Sequence, residues 1–138
     1  MATKVVIDAN IWISSIVSGK LGDLEMLPYA YDIDLLVCKD MSDEIENALR
    51  RPKFAKYLVH TPGEYIASIK RQTTSVRIRH EFTGCRDTRD NYLFDLAMQG
   101  NAKYLVSGDK DVVEMTPVKG LNVVKYAEFM RILRQELN

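Results

Sequence analysis

Lys4 to Asp8 is a run of β-branched residues ending in a carboxylate, and Ile11 to Val17 continues apolar at helical spacing, so the pattern predicts a strand and then a helix. Ser18, Gly19 and Gly22 break that helix. Asp23 to Tyr31 reads as a second helical piece and Asp34 to Cys38 as a second strand. Ser42 and Asp43 start a helix carrying Ile45, Ala48 and Leu49, which Pro52 closes; Phe54 to Val59 adds a turn or two. Thr61 and Pro62 open the next helix, with Tyr65, Ile66 and Ile69 on one face, and Ser75 to Arg79 alternates as a third strand would. After a loop from His80 to Arg86, Asp87 or Thr88 caps a helix running to about Gln99, where Gly100 and Asn101 stop it. Lys103 to Ser107 is strand four, Asp111 to Met115 a helical turn, Leu121 to Lys125 strand five, and about Ala127 to Leu137 a terminal helix.

Strands alternating with helices predict a three-layer α/β domain with a parallel sheet, because each parallel crossover needs a helix to return the chain. No repeat or linker interrupts residues 1–138, so one domain is expected. In open sheets of this class ligands bind beyond the carboxyl ends of the strands, where strand order reverses. Asp8 closes strand one and Asp109 lies just past strand four, at the same sheet edge. If those strands are neighbours, the two carboxylates converge and need a cation or proton between them. The competing role for each is to cap the helix that follows.

Asp90 opens a helix on the same stripe as Leu93, Phe94 and Ala97, which aims it inward; Asp95 falls roughly opposite and is expected in solvent. Asp87 suits a cap or an outer ligand, and the helix dipole favours acids at both positions. Asp43, Glu44 and Glu46 crowd one turn. Against Met41, Ile45, Ala48 and Leu49, Glu44 lies at the apolar margin, Glu46 farther round and Asp43 opposite, so periodicity prefers Glu44 only slightly.

Composition narrows the chemistry. The apolar content of 46% suits a folded core, and no stretch approaches the roughly 20 apolar residues that span a bilayer. The first residues run into a strand pattern rather than a signal peptide, so a cytoplasmic protein is expected. Cys38 and Cys85 make neither a disulfide framework nor a zinc spacing and are expected as free thiols; His60 and His80 stand isolated, without ligand partners. The net charge is +0, but residues 50–80 hold Arg50, Arg51, Lys53, Lys56, Lys70, Arg71, Arg77 and Arg79 against the lone Glu64. That distribution can set a phosphate-binding surface beside a cation site, or can be no more than a solvated helix face.

The motifs V-V-I-D-A-N, S-D-E-I-E-N-A-L-R-R-P-K-F, D-T-R-D-N-Y-L-F-D-L-A and A-K-Y-L-V-S-G-D-K-D, in this order across nearly the whole chain, resemble the PIN domain. The likeness is strongest to the small VapC-like toxin nucleases of type II toxin–antitoxin pairs. It implies a three-layer α/β/α domain with a five-stranded parallel sheet, and metal-binding acids at Asp8, Glu44, Asp90 and Asp109. Glu44 is chosen by counting back five residues from the leucine of A-L-R-R-P-K-F. Asn10 and Ser107 match polar positions supporting the site, Ser107 standing where many relatives carry threonine. Relatives often show D-P-D-D where this chain has D-T-R-D-N, which leaves open whether Asp87 joins the metal; Asp111 is a further outer candidate.

Four carboxylates without imidazole or thiolate favour one or two Mg²⁺ or Mn²⁺ ions. The resemblance implies an endoribonuclease whose Arg50, Arg51, Lys53 and Lys56 hold RNA phosphates, with an antitoxin partner and a possible homodimer that the terminal helix could serve. Two other functions compete: a nuclease of RNA processing or structured DNA, separable by comparing RNA with DNA cleavage, and a non-catalytic α/β binding module. A receiver-like module would want an acidic pair after strand one, an Asp after strand three and a lysine after strand five. The chain offers Asp8 alone, Arg79, and Lys125 at best. A D-x-D phosphatase fails at Asn10.

Overall fold

The structure, a computed structural model, describes residues 2–115 and 118–136. Among these, five parallel strands form one sheet in the order β3-β2-β1-β4-β5: β1 (Thr3–Ile7), β2 (Ile33–Val37), β3 (Thr74–Ser75), β4 (Tyr104–Val106) and β5 (Asn122–Val124). Val5 and Val6 pair with Leu35 and Leu36 on one side, Val5, Val6 and Ile7 pair with Tyr104, Leu105 and Val106 on the other, and all are buried. Such continuous apolar runs are what strands covered on both faces require. The chain builds outward from β1 to β3, then returns to lay β4 on the other side of β1. The reversal of strand order therefore falls between β1 and β4.

The helices are α1 (Ala9–Val17), α2 (Leu21–Glu25), α3 (Leu27–Ala30), α4 (Lys39–Leu49), α5 (Pro62–Gln72), α6 (Asn91–Gln99), α7 (Lys110–Val113) and α8 (Tyr126–Glu136). They make a three-layer α/β/α arrangement. α1 packs on α4 and α4 on α5, whereas α6 packs on β1, β2 and β4. Thr61 and Glu64 form the reciprocal cap that starts α5. At the end of α6, a Cβ on Gly100 would lie 2.5 Å from Leu36 Cδ1 and 2.8 Å from Leu96 O, so only glycine fits against β2 there. No helix among the described residues is long and apolar enough to cross a membrane.

Several expectations change. The helix expected to start at Ser42 and Asp43 begins at Lys39, with Cys38 at its N-cap. Asp23 to Tyr31 is two short helices, because Pro28 starts α3 and cannot extend α2. The helix expected from Asp87 or Thr88 begins as a 3₁₀ turn at Thr88–Asp90, with Asn91 the first α-helical residue. The third strand pairs only at Thr74–Ser75. Beyond it the inward–outward alternation persists in half-buried Val76 and Ile78, but Gln99 replaces a neighbouring strand. Its Nε2 donates to Arg79 O at 2.7 Å and its Oε1 accepts from Arg79 N at 2.8 Å.

Asp95 is a further correction. It is 2% exposed, not solvated, because residues 79–82 cross that side of α6 and the sheet covers the other. In the terminal helix, Phe129, Ile132 and Leu133 are buried in the core, so they offer no dimer surface; Leu137 lies outside the described residues.

Candidate active site

Because β1 and β4 are neighbours, the residues just beyond them meet. Asp8 is 3% exposed, and its Oδ1 accepts from Asn10 N at 3.1 Å, capping α1. Asp109 caps α7 through Asp111 N at 2.9 Å. Both acids thus serve as helix caps, and capping itself fixes their positions at the shared edge. Ser107 ties them together: its hydroxyl donates to Asp8 Oδ2 at 2.7 Å and accepts from Asp109 N at 3.1 Å. Burial pushes the Asp8 carboxyl up, opposed by the Ser107 and Asn10 hydrogen bonds and reinforced by the charge of Asp109.

Asp90 is the N-cap residue of α6 by position, but its carboxylate makes no cap hydrogen bond. Burial, then the charges of Asp8, Asp109, Asp87 and Glu44, push it up to about 6. On α4, rotation sorts the crowded acids: Asp43 pairs with Lys39, Glu46 with Arg50, and half-buried Glu44 turns toward Asp8. Burial raises Glu44 despite a 2.9 Å hydrogen bond donated by the Tyr92 hydroxyl; Asp8 raises it further, while Arg89 and Arg51 lower it. The four acids predicted from sequence therefore act on one another from four separate segments.

Tyr92 is one residue that sequence reading missed. It is buried on α6, and burial together with Glu44 keeps its hydroxyl protonated and donating. The available signal was a tyrosine inside an apolar helical run, whose hydroxyl requires a buried partner. Arg89, also missed, lies close enough to Glu44 and Asp90 to feel both, while it forks onto Asp87 through Nε at 3.1 Å and Nη2 at 2.9 Å. Asp111 sits 3.5 Å from Arg86, so each of the outer acid candidates has an arginine neighbour. The histidines are not isolated: His80 Nε2 lies 3.0 Å from Asp40 and His60 Nδ1 3.6 Å from Glu64, both as exposed pairs away from the four acids. Cys38 and Cys85 are free, and burial pushes both thiols up to about 11.

Among the described residues, no group of three or more Asp, Glu, His or Cys side chains is placed to hold a metal ion as it stands. Mg²⁺ keeps several waters and takes only one or two carboxylates directly, so it does not require three acids at one point. The donors fit in kind as well, being oxygens whose mutual repulsion a divalent cation relieves. Two grooves run along this edge, with Asn10 lining both. One, of about 570 Å³, runs past Glu44 to Arg51, Phe54 and Tyr57. The other, of about 800 Å³, runs past Asp109 and Gly108 to Lys20 and Tyr126.

Residues 4–111 match the sequence profile of the PIN domain. The chain belongs to the PIN domain family. No curated protein matches it. PIN domains form a nuclease superfamily whose members generally depend on metal. The matched segment includes Asp8, Glu44, Asp90 and Asp109 and ends at Asp111, at the start of α7. In this PIN domain Ser107 is the hinge of the acid pair, so Ser107→Ala is expected to lower activity or metal affinity about 10- to 100-fold while Ser107→Thr keeps both. Mn²⁺ titration of the two variants checks this; equal affinities would deny Ser107 that role.

Proposed function

We propose that this PIN domain is a divalent-metal-dependent endoribonuclease and the toxin of a type II toxin–antitoxin pair. The observation carrying this reading is Asp90, an uncapped carboxylate pushed up to about 6 by burial and by Asp8, Asp109, Asp87 and Glu44 around it. Such an arrangement is unfavourable unless it has a use for positive charge. The toxin role and the preference for RNA rest on the likeness of the four motifs to VapC-like proteins. A cytoplasmic location and an antitoxin that covers the four acids belong to the same reading.

Asp8, Glu44, Asp90 and Asp109 would hold one or two Mg²⁺ or Mn²⁺ ions. A divalent ion supplies a lowered water pKa and positive charge for the leaving oxygen. The Ser107 hydrogen bond favours the ionised form of Asp8 against the effect of burial, and the Tyr92 hydrogen bond does the same for Glu44. Asn10 shapes the mouth between the two grooves, while Asp87 and Asp111 stand outside as acids tempered by Arg89 and Arg86. Arg50, Arg51, Lys53 and Lys56 hold flanking phosphates, so binding weakens as salt rises.

The test is cleavage of matched single-stranded RNA and DNA with Mn²⁺, with chelator, and with Mn²⁺ restored. RNA is expected to be cut only when the metal is present, DNA of the same sequence is expected to survive, and expression of the chain alone is expected to slow growth. Cutting that continues in chelator would refute the metal-dependent reading, and equal cutting of DNA would refute the substrate.

A further inference from the structure

Arg51, Phe54 and Tyr57 line the groove that starts at Glu44 and Asn10. Residues Pro52–Tyr57 form a 3₁₀ helix, in which positions three apart eclipse one another. Phe54 and Tyr57 therefore share one face, and Lys53 and Lys56 share the next. Lys53 Nζ lies 5.0 Å from the Phe54 ring centroid and Lys56 Nζ 5.2 Å from that of Tyr57. Phe54 is half-buried against the core and forms the floor; Tyr57 is 51% exposed and forms a wall. Among the described residues, the charged side chains lining this groove are Glu44 at the acidic end and Arg51. An exposed aromatic ring interleaved with cations, leading away from Glu44, has the composition of a single-strand platform: base faces stack on rings and phosphates meet the cations.

We propose that the groove of Arg51, Phe54 and Tyr57 is the subsite for the nucleotide flanking the scissile phosphate, with Tyr57 stacking on an unpaired base and Arg51 holding its phosphate. The inference rests on the nuclease reading and adds to it that the substrate enters this groove as a single strand. A paired base cannot offer its face to Tyr57 without leaving its stack. The groove volume of about 570 Å³ falls within the range that takes one small organic group.

The experiment measures binding of a short fluorescently labelled single-stranded RNA, and of the same sequence as a duplex, in the cleavage-deficient Asp90→Asn background. Adding Tyr57→Ala is expected to weaken single-strand binding about 5- to 100-fold, while Tyr57→Phe keeps it and duplex binding stays unmoved. Adding Arg51→Ala is expected to flatten the salt dependence by about 0.7 in logarithmic slope. Because Tyr57 is half exposed, its loss should leave the fold intact, which the thermal transition verifies. Single-strand binding by Tyr57→Ala within about twofold of its background would overturn the proposal. So would no binding at all, or a dimer that Tyr57→Ala dissociates while strand binding persists. In the otherwise unaltered chain, Tyr57→Ala is expected to raise KM with little change in kcat. A chain that fails to cleave yet binds strands through Tyr57 contradicts the nuclease reading alone. One that cleaves with KM indifferent to Tyr57 contradicts the subsite alone.

Discussion

Replacing Asp90 with Asn is expected to abolish RNA cleavage and, without divalent metal, to raise the melting temperature at about pH 8. The Asp90 carboxyl is pushed up to about 6, first by burial and then by Asp8, Asp109, Asp87 and Glu44. A carboxyl raised in the folded state favours folding while protonated, and that contribution is lost as pH rises through the folded value. Asn cannot ionise. The variant's advantage is therefore absent below about pH 4, grows through the window up to about 6 and stays constant above it. Asp90 is partly exposed, so the advantage, discounted for solvent screening, is about 1 kcal/mol. At this chain length that is roughly 3 to 5 °C. Saturating Mn²⁺ reverses the order, because a ligand at about 100 times its Kd stabilises the parent by about 2.7 kcal/mol. Cleavage should fall by more than the 10- to 100-fold typical of residues that only support a metal ligand.

Replacing Asp95 with Ala is expected to have the opposite signature: large destabilisation, with metal affinity unchanged where the chain remains folded. Asp95 Oδ1 accepts from Phe82 N at 2.9 Å and from Gln99 Nε2 at 3.2 Å, and both oxygens accept from Glu81 N at 3.2 Å. These bonds fasten residues 79–82 across α6, where Phe82 stacks on Phe94 with ring centroids 4.7 Å apart. Removing a buried acceptor with three donors leaves part-buried N–H groups unpaired and empties space beneath residues 79–82, at a cost of about 2 to 3 kcal/mol. The transition should fall by roughly 6 to 15 °C. Trp12, the chain's single tryptophan and fully buried, reports it by fluorescence in denaturant titration. A midpoint unchanged from the parent would show that the strap does not depend on this carboxylate.

The contrast between these aspartates shows what the sequence could carry. Asp8 and Asp109 were legible because each ends an apolar run, and an alternating chain places strand ends at one edge. Asp90 was legible as an acid at a helix start on an apolar stripe. Glu44 was not resolved by rotation alone, since its orientation depends on Tyr92 of α6, 48 positions farther along. Asp95 was misplaced because periodicity assumes one wet face, whereas Tyr92 to Ala97 are all buried between the sheet and the 79–82 strap. The third strand was overextended for a related reason. Val76 and Ile78 do alternate, but Gln99, a side chain, completes the backbone pairing beyond Ser75. The Arg51, Phe54 and Tyr57 wall appears only once the 3₁₀ period replaces the α-helical one.

The most direct measurement is calorimetric Mn²⁺ titration of the unaltered chain and of Asp90→Asn, at several pH values. Saturable binding by the parent is expected to weaken as pH drops below about 6, where protons compete for Asp90, and to be largely lost in the variant. Equal Mn²⁺ affinity in the two proteins, with no pH dependence across that range, would contradict a metal site built on these acids.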